Sequence, residues 1–514
     1  MTDLILYNAT ILSSPKPSPD QKLIVIENGV IKDVNTNEAL NRLKKKTHQV
    51  VDCSGMTVIP GLIDAHIHLH AFAESLISLN LRPENRIFSI SDIQAEIRSV
   101  SQTLSPGTWI RGKGCHEFDL KEKRLPTRHD LDTAAPDHPV KLTHRSGHAH
   151  ILNSPALKQV GITIETPDPP EGLIDRDIPS GEPNGVLFEM GEWLSKKVPS
   201  PDKKEMTLGM KQAGRQLVSM GITSVQDVSV HNDIERWREF RRWIKEGIVL
   251  PRISMFMGTS AFTKHPDIDF HTSDDVKRLG IVGVKIILDN TTGKRFPAQP
   301  DLDDIVLAVH RKGGQVAIHA IESSDIESAC RAIAYAQQTV GRPDPRHRIE
   351  HGSVCRPKLA EKIASLGISV TTQPPFVYYN GDRYLNTVPA DQIDHLYPVR
   401  TLLKNGVTVA GSSDCPVVSA NPFIGMYAAM TRMTTGGNRL SPRQRITLSQ
   451  AFKMYTKSAA VAVFEESIKG SISPGMLADL VVIEGDFARF NAEELKATVP
   501  VMTILGGKIV CDNR

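Results

Sequence analysis

The stretch VIPGLIDAHIHLH, residues 58–70, gives the strongest indication of the fold. Val58–Ile63 is apolar around a Pro-Gly pause, and the chain then becomes polar at alternate positions: Asp64, His66 and His68. Alternation along a strand places residues i and i+2 on the same face, so the two imidazoles can point at one ion. The stretch therefore predicts a buried strand that ends in two metal ligands.

The composition indicates a soluble globular protein. Of the 514 residues, 40% are hydrophobic and 23% are charged, which is typical of such proteins. The net charge of +3 gives no reason to expect a nucleic-acid partner. We expect no secretory leader and no membrane span, because residues 1–8 break apolar continuity and no apolar stretch reaches membrane-spanning length. The six dispersed cysteines form no C-x-x-C pair, which favours a reducing, cytoplasmic location.

Seven further apolar runs follow the first one, and helical patterns lie between several of them. With Val58–Ile63 they make eight predicted strands. Strand–helix alternation repeated to eight argues for an α/β fold, a (β/α)8 or TIM-like barrel. The seven runs are Ile222–Val228, Arg252–Met257, Val282–Leu288, Gln315–Ala320, Arg346–Glu350, Gly367–Thr372 and Val407–Gly411.

Short strands and turn residues at both ends of the chain predict a second, smaller domain. We expect residues 1–59 and 468–514 to pair into one β-sandwich, with the barrel at 60–467. Residues 75–205 exceed a normal strand–helix connection, so we interpret them as an insertion after the first barrel strand and as a lid over the barrel mouth. Within the insertion, Ser91 is predicted to cap a helix.

Polar side chains interrupt or end the first strand and four of the later ones. Because the carboxyl ends of all barrel strands converge on one mouth, we expect these side chains to surround one point. Four imidazoles and a carboxylate are good ligands for zinc or a similar divalent ion. The predicted set is His66, His68, Lys285, His319, His351 and Asp414.

Lys285 is unexpected in such a set, because an ammonium group repels a cation. Burial could neutralise the amine, or carbon dioxide could carbamylate it to a carboxylysine, an anionic ligand able to bridge two ions. A buried ion pair with Asp289 or Glu350 is the ordinary structural alternative. Each residue of the set has such an ordinary explanation when taken singly, but five strands that end alike make coincidence the weaker explanation.

At these residues the chain resembles the amidohydrolase superfamily of metal-dependent hydrolases and, within it, the YtcJ-like group (amidohydrolase family 3). The resemblance implies a barrel flanked by a β-sandwich, and a hydrolytic water held by one or two divalent ions, expected to be zinc. The segments that carry it span nearly the whole chain: 60–68, 124–131, 147–154, 221–227, 283–286, 319–321, 347–351, 411–417 and 469–482.

The resemblance also implies a role for each ligand. His66 and His68 would bind the first ion, and His319 and His351 the second; with one ion, the latter pair would serve that ion or the substrate. A carbamylated lysine would bridge two ions. Asp414 would ligate the metal and accept the proton of the attacking water.

We therefore expect an amidohydrolase that acts on carbon–nitrogen bonds other than peptide bonds, in an amide, formamide or cyclic amide. One departure keeps an alternative open: Glu322 follows His319 in a His-x-x-Glu arrangement, which related single-metal deaminases of heterocycles use. A non-catalytic relative of the same fold is a third alternative. The sequence names neither the substrate nor the number of ions, and homo-oligomers are common among such relatives.

Four residues are weaker candidates for contacts with the substrate. His148 matches a family position in the insertion, Glu322 belongs to the deaminase alternative, and Tyr378 and Arg383 follow the seventh strand. The pair His116-Glu117 remains without a predicted role.

Overall fold

The computed structural model describes residues 2–13, 19–43, 47–169, 172–270, 278–288 and 295–514. The chain divides into two units. The larger is Met1–Leu69 with Gly214–Arg514, and the smaller is His70–Ala213.

The strands formed by the described residues set the architecture of both units. In chain order they are β1 (Thr2–Tyr7), β2 (Thr10–Ile11), β3 (Leu23–Glu27), β4 (Val30–Asn35), β5 (Thr47–Asp52), β6 (Met56–Pro60), β7 (Leu62–Ile67), β8 (Leu79–Asn80), β9 (Ile110–Cys115), β10 (Val140–His144), β11 (Ala149–Leu152), β12 (Leu173–Arg176), β13 (Pro183–Phe188), β14 (Ile222–Asp227), β15 (Arg252–Gly258), β16 (Leu279–Ile287), β17 (Gln315–Ala320), β18 (Arg348–His351), β19 (Ser369–Thr372), β20 (Val409–Gly411), β21 (Leu480–Glu484), β22 (Met502–Leu505) and β23 (Lys508–Asp512).

The α-helices of the same ranges lie mainly between these strands. They are α1 (Leu40–Leu43), α2 (Leu69–Leu76), α3 (Ile90–Ser101), α4 (Arg128–Asp132), α5 (Ser154–Val160), α6 (Gly191–Ser195), α7 (Lys203–Ser219), α8 (Ile234–Lys245), α9 (Thr259–Lys264), α10 (Gln299–Arg311), α11 (Ser323–Thr339), α12 (Pro357–Ser365), α13 (Pro374–Thr387), α14 (Ala390–Ile393), α15 (Val399–Lys404), α16 (Pro422–Thr431), α17 (Leu448–Met454), α18 (Lys457–Val461) and α19 (Ala492–Lys496).

The larger unit contains the predicted barrel. Its eight strands are parallel and lie in the order β7-β14-β15-β16-β17-β18-β19-β20. Beyond β20 the chain returns to β7: the backbone N–H of Asp414 donates to His66 O at 2.8 Å, and that of His68 donates to Cys415 O at 2.8 Å. These bonds bring the end of the eighth strand to the end of the first. The (β/α)8 prediction is confirmed.

The first barrel strand begins later than the sequence predicts. The run Val58–Ile63 is divided at Gly61: β6 pairs with β21 in another sheet, and β7 pairs with β14 in the barrel. A Cβ on Gly61 would lie 2.1 Å from Thr223 Oγ1, so only glycine fits where the chain passes between the sheets. Apolar continuity could not reveal this division, because both strands are buried.

The β-sandwich prediction is confirmed as well. One sheet has the order β4-β3-β1-β5, and the other has the order β2-β6-β21-β22-β23. The second sheet therefore combines strands from both ends of the chain. Residues of the two sheets share one core, which includes Leu4, Leu6, Ile24, Ile26, Val58, Leu480, Val482, Met502 and Ile504.

The smaller unit is an insertion after β7 with a sheet of its own, which the sequence analysis missed. The order of that sheet is β12-β13-β11-β10-β9-β8. Its helix α3 begins two residues earlier than predicted, because Ser89 rather than Ser91 is the N-cap; the Ser89 side chain accepts from the N–H of Asp92. Across both units, no helix in the described part of the chain is long and apolar enough to span a membrane.

Candidate metal centre

Three buried side chains meet where β7, β18 and β20 end. His66 lies in β7, His351 is the last residue of β18, and Asp414 lies three residues beyond β20. One ligand atom from each lies within 4.8 Å of the others. His66 Nε2 is 3.4 Å from Asp414 Oδ1, and the two imidazole ring centres are 5.0 Å apart. We call these three residues the His66 cluster.

The other predicted ligands adjoin this cluster. His68 Nε2 lies 3.0 Å from Asp414 Oδ1, and the ring of His319 lies edge-on to that of His351 at 4.4 Å between centres. Lys285 is buried in β16. Burial, and next the charge of that lysine, hold the pKa of His66 well below its ordinary 6.5.

Two atoms of the His66 cluster are buried without a hydrogen-bond partner among the described residues. They are His66 Nε2 and Asp414 Oδ1. Polar atoms that are buried and unsatisfied are costly and rare. An imidazole nitrogen and a carboxylate oxygen that face one point are the donor types that bind zinc.

The opposite ring nitrogens of these histidines have contacts that are compatible with the protonation that metal binding needs. Each Nδ1 faces an oxygen, so it can carry the proton and leave the lone pair on Nε2, the form that coordinates an ion. The three contacts are His66 with the Glu350 carboxylate, His351 with Gln373 Oε1 at 2.8 Å, and His68 with Ser229 Oγ at 3.0 Å. On this observation the residues fit a divalent ion.

The charged groups around the cluster have shifted pKa values. Burial lowers the pKa of Lys285 to about 8, although Glu350 and Asp414 oppose the shift. Burial alone would raise the pKa of Asp414, but the nearby imidazoles of His66 and His68 outweigh it and hold that pKa below 3.8. Asp289, the alternative partner of Lys285, lies outside the described residues.

Asp64 is a supporting residue that the sequence analysis did not assign. Its Oδ1 accepts from the backbone N–H of Ser413 at 3.0 Å and from that of His66 at 3.2 Å, and its Oδ2 accepts from Ser413 Oγ. Burial, opposed by these bonds, raises its pKa to about 7. Asp64 thereby ties the first barrel strand to the loop that carries Asp414. Its place in the 64, 66, 68 alternation was the available signal.

The weaker candidates have other contacts. Glu322 is exposed and forms a capping box with Asp325 at the start of α11. The Tyr378 ring packs edge-on against Tyr427 and lies 5.3 Å from Lys496 Nζ. Arg383 contacts the Tyr384 ring. In the smaller unit, His148 Nδ1 lies 2.9 Å from Glu189 Oε2.

A second group in the smaller unit, His116, Glu117 and His144, has metal-like distances but the wrong protonation. Its ligand atoms lie within 4.8 Å of one another. However, the backbone N–H of Phe118 donates to His116 Nδ1, and that of Ser146 donates to His144 Nδ1, each at 3.1 Å. The protons of the neutral rings therefore sit on Nε2. His144 Nε2 lies 3.2 Å from Glu117 Oε2, so we interpret the group as a His–Glu contact.

The chain is similar to known hydrolases over nearly its whole length. The model described as "Amidohydrolase family" matches residues 49–511. The N-substituted formamide deformylase of Arthrobacter pascens is 28% identical over 99% of this chain and 98% of its own. The putative amidohydrolase YtcJ of Bacillus subtilis is 26% identical over 95% of each. An uncharacterized metal-dependent hydrolase from Pyrococcus horikoshii has the same fold, with a TM-score of 0.77, 23% identity and coverage of 95% and 99%.

Proposed function

Because this chain belongs to the amidohydrolase family, we propose that it is a metal-dependent hydrolase that cleaves a carbon–nitrogen bond of a small amide, formamide or cyclic amide. The observation that carries the proposal is the convergence of His66 Nε2 and Asp414 Oδ1, which are buried, lie 3.4 Å apart and make no hydrogen bond among the described residues. The similarity to a protein named N-substituted formamide deformylase supports the formamide class in particular. The reaction adds water across the bond and yields a carboxylic acid and an amine.

In this proposal His66 and His68 hold the first divalent ion, expected to be zinc. His319 and His351 hold a second ion, or in a one-metal enzyme serve the same ion or the substrate. An ion held here would lower the pKa of a bound water and polarise the substrate carbonyl.

Asp414 moves the proton in the proposed reaction. Its Oδ1 lies 3.0 Å from His68 Nε2 and 3.4 Å from His66 Nε2, so the carboxylate is beside the place where an ion and its water would sit. It would accept the proton of the attacking water and deliver it to the leaving nitrogen, which departs as an amine.

Lys285 decides between one and two ions. A buried amine with a pKa of about 8 has an appreciable neutral fraction, which is the form that reacts with carbon dioxide. We expect a carboxylysine and two ions per chain. The test is the intact mass of the Lys285 peptide together with the metal content of the native protein. One ion, an unmodified Lys285 and an active Lys285→Ala variant would contradict the bridged site.

The main test is turnover by zinc-loaded protein on a panel of N-substituted formamides, acyl amides and cyclic imides, followed as amine release. We expect turnover of at least one class. Asp414→Asn should lower kcat by about 10²-fold or more, because it removes the group that transfers the proton. Glu322→Gln is the matched control, since Glu322 is exposed at a helix cap, and it should remain as active as the unchanged protein.

Two results would overturn the proposal. Release of ammonia from an aminoheterocycle, lost in Glu322→Gln, would identify a deaminase instead. No turnover of any carbon–nitrogen substrate by metal-loaded protein would favour the non-catalytic alternative. The proposal includes a cytoplasmic location, which is supported by the six dispersed cysteines, none of which belongs to a C-x-x-C pair.

A further inference from the structure

Glu350 connects His66 to a buried charge pair inside the barrel. Its Oε2 faces His66 Nδ1. Arg348 donates from Nε to Glu350 Oε1, and from Nη2 to Glu350 Oε2 at 3.1 Å. The side chains of Arg348 and Glu350 are both 0% exposed. Because water does not screen the Glu350 carboxylate, its electrostatic interactions with Arg348 and His66 are stronger than they would be at the surface.

Arg348 is itself held from several sides. It donates from Nη2 to Ala65 O at 2.6 Å and from Nη1 to Gln226 Oε1. Its guanidinium lies 4.8 Å from the centre of the Phe256 ring. Since Ala65 precedes His66 in β7, the same arginine fixes both the carboxylate and the backbone next to the histidine. Groups on four strands, β7, β14, β15 and β18, thereby hold Arg348 and Glu350 beside His66.

The three histidines near Asp414 differ in what holds their Nδ1. His66 has a carboxylate, His351 has the amide oxygen of Gln373, and His68 has the hydroxyl of Ser229. A hydrogen bond to an ionised acceptor is roughly twice as strong as one between neutral groups. A carboxylate on Nδ1 also raises the basicity of the ring and thus its strength as a ligand.

We propose that Glu350 is a positioning residue that makes His66 the strongest imidazole ligand of the site. The inference rests on the proposed function only in that it needs the site to bind a divalent ion. The charge on Glu350 fixes the His66 proton on Nδ1 and strengthens Nε2 as a donor. Affinity for the ion therefore depends more on Glu350 than on the neutral acceptor Ser229.

The test is the zinc affinity of metal-free protein, measured by competition with a chelator. Glu350→Gln keeps the size and hydrogen-bonding oxygen but removes the charge, and we expect the affinity to fall by about 10- to 100-fold. Ser229→Ala is the matched control: it removes a neutral acceptor from His68 Nδ1 and should reduce the affinity less than Glu350→Gln does.

A second variant separates positioning from simple stability. Glu350→Gln alone leaves Arg348 buried without its anion, which destabilises a fold. The double variant Arg348→Met/Glu350→Gln removes both charges. We expect its metal-free melting temperature to return toward that of the unchanged protein, while its zinc affinity stays as low as that of Glu350→Gln.

Two outcomes would overturn the inference. One is a double variant that binds zinc as tightly as the unchanged protein. The other is a Ser229→Ala variant that loses as much affinity as Glu350→Gln. Both differ from failure of the proposed function, in which the unchanged protein binds zinc but cleaves no carbon–nitrogen bond.

Discussion

At the scale of single residues, two members of the His66 cluster have a backbone conformation that L-residues rarely adopt. His351 has a φ of 69° and Asp414 a φ of 59°. The left-handed conformation costs about 1–2 kcal/mol for a residue with a Cβ. Such strain persists where the surrounding structure enforces it, and it concentrates at functional sites. In this site, the left-handed backbone conformation directs both side chains to the same point at the strand ends.

This strain predicts how the metal-free protein responds to two substitutions at one position. His351→Gly and His351→Ala both remove the imidazole, but only glycine adopts a positive φ without strain. We expect the glycine variant to be more stable by about 1 kcal/mol, measured as the free energy of unfolding in urea. Equal stability of the two variants, or a more stable alanine variant, would show that the backbone there relaxes freely.

At the scale of elements, a chain of hydrogen bonds joins helix α10 to the residue that precedes β18. The N–H of Val316 donates to His347 Nδ1 at 3.1 Å. His347 Nε2 can therefore donate to His310 Nδ1 at 2.8 Å, and His310 Nε2 donates to Val340 O at 2.9 Å. Every ring nitrogen has a partner only when both histidines are neutral.

The chain predicts a loss of stability in acid. Burial, and next the neighbouring His310, lower the pKa of His347 from 6.5 to about 3. Below pH 6.5 the unfolded state takes up a proton that the folded state does not, so this contribution is intact above pH 6.5 and is lost as the pH falls toward 3. In the unchanged protein, His347 should lower the free energy of unfolding by up to about 1.4 kcal/mol for each pH unit below 6.5. His347→Gln should remove this part of the fall.

The measurement is a series of urea unfolding curves between pH 7.5 and pH 5. The exposed His265 provides the control, since His265→Gln should leave the pH dependence unchanged. An identical pH slope in His347→Gln and in the unchanged protein would count against the assignment.

The barrel strands could be predicted because parallel strands buried on both faces read as continuous apolar runs. The strands of the smaller unit could not: β9 reads Ile-Arg-Gly-Lys-Gly-Cys and alternates with charges. The six candidate ligands were visible because each interrupts or ends an apolar run. Glu350 was not recognised as the partner of His66, because the two are 284 residues apart and only the folded barrel brings them together. Gln373, after β19, looks like an ordinary polar residue.

At the scale of the whole molecule, the barrel and the sandwich of the larger unit are joined by a buried ion pair. Arg252 begins β15 of the barrel, and Asp479 lies just before β21 of the sandwich. Arg252 Nε is 2.6 Å from Asp479 Oδ2, and the two side chains are only 7% and 4% exposed. Asp479 Oδ1 also accepts from the N–H of Gly506 at 2.8 Å. The last strands are thus fixed to the barrel by charge as well as by packing.

Removal of one member of the Arg252–Asp479 ion pair should destabilise the folded protein. Asp479→Ala leaves Arg252 buried and unpaired, and we expect the free energy of unfolding to fall by about 3–5 kcal/mol. The control is Asp486→Ala, which breaks the exposed contact with Arg489 at 3.1 Å and should cost about 1 kcal/mol or less. Chemical denaturation of both variants measures the difference. Similar losses in the two would mean that the buried pair does not join the domains.

The sheet that combines both ends of the chain also determines when the protein can finish folding during its synthesis. Thr57, in β6, donates from Oγ1 to Gly485 O, a residue that follows it by 428 positions. At about 5–20 residues per second, a ribosome needs roughly 20–90 s to make that stretch. During this time β6 lacks β21, its neighbour in the finished sheet. The edge of β6 that pairs with β21 therefore stays open until residues 480–484 have been made.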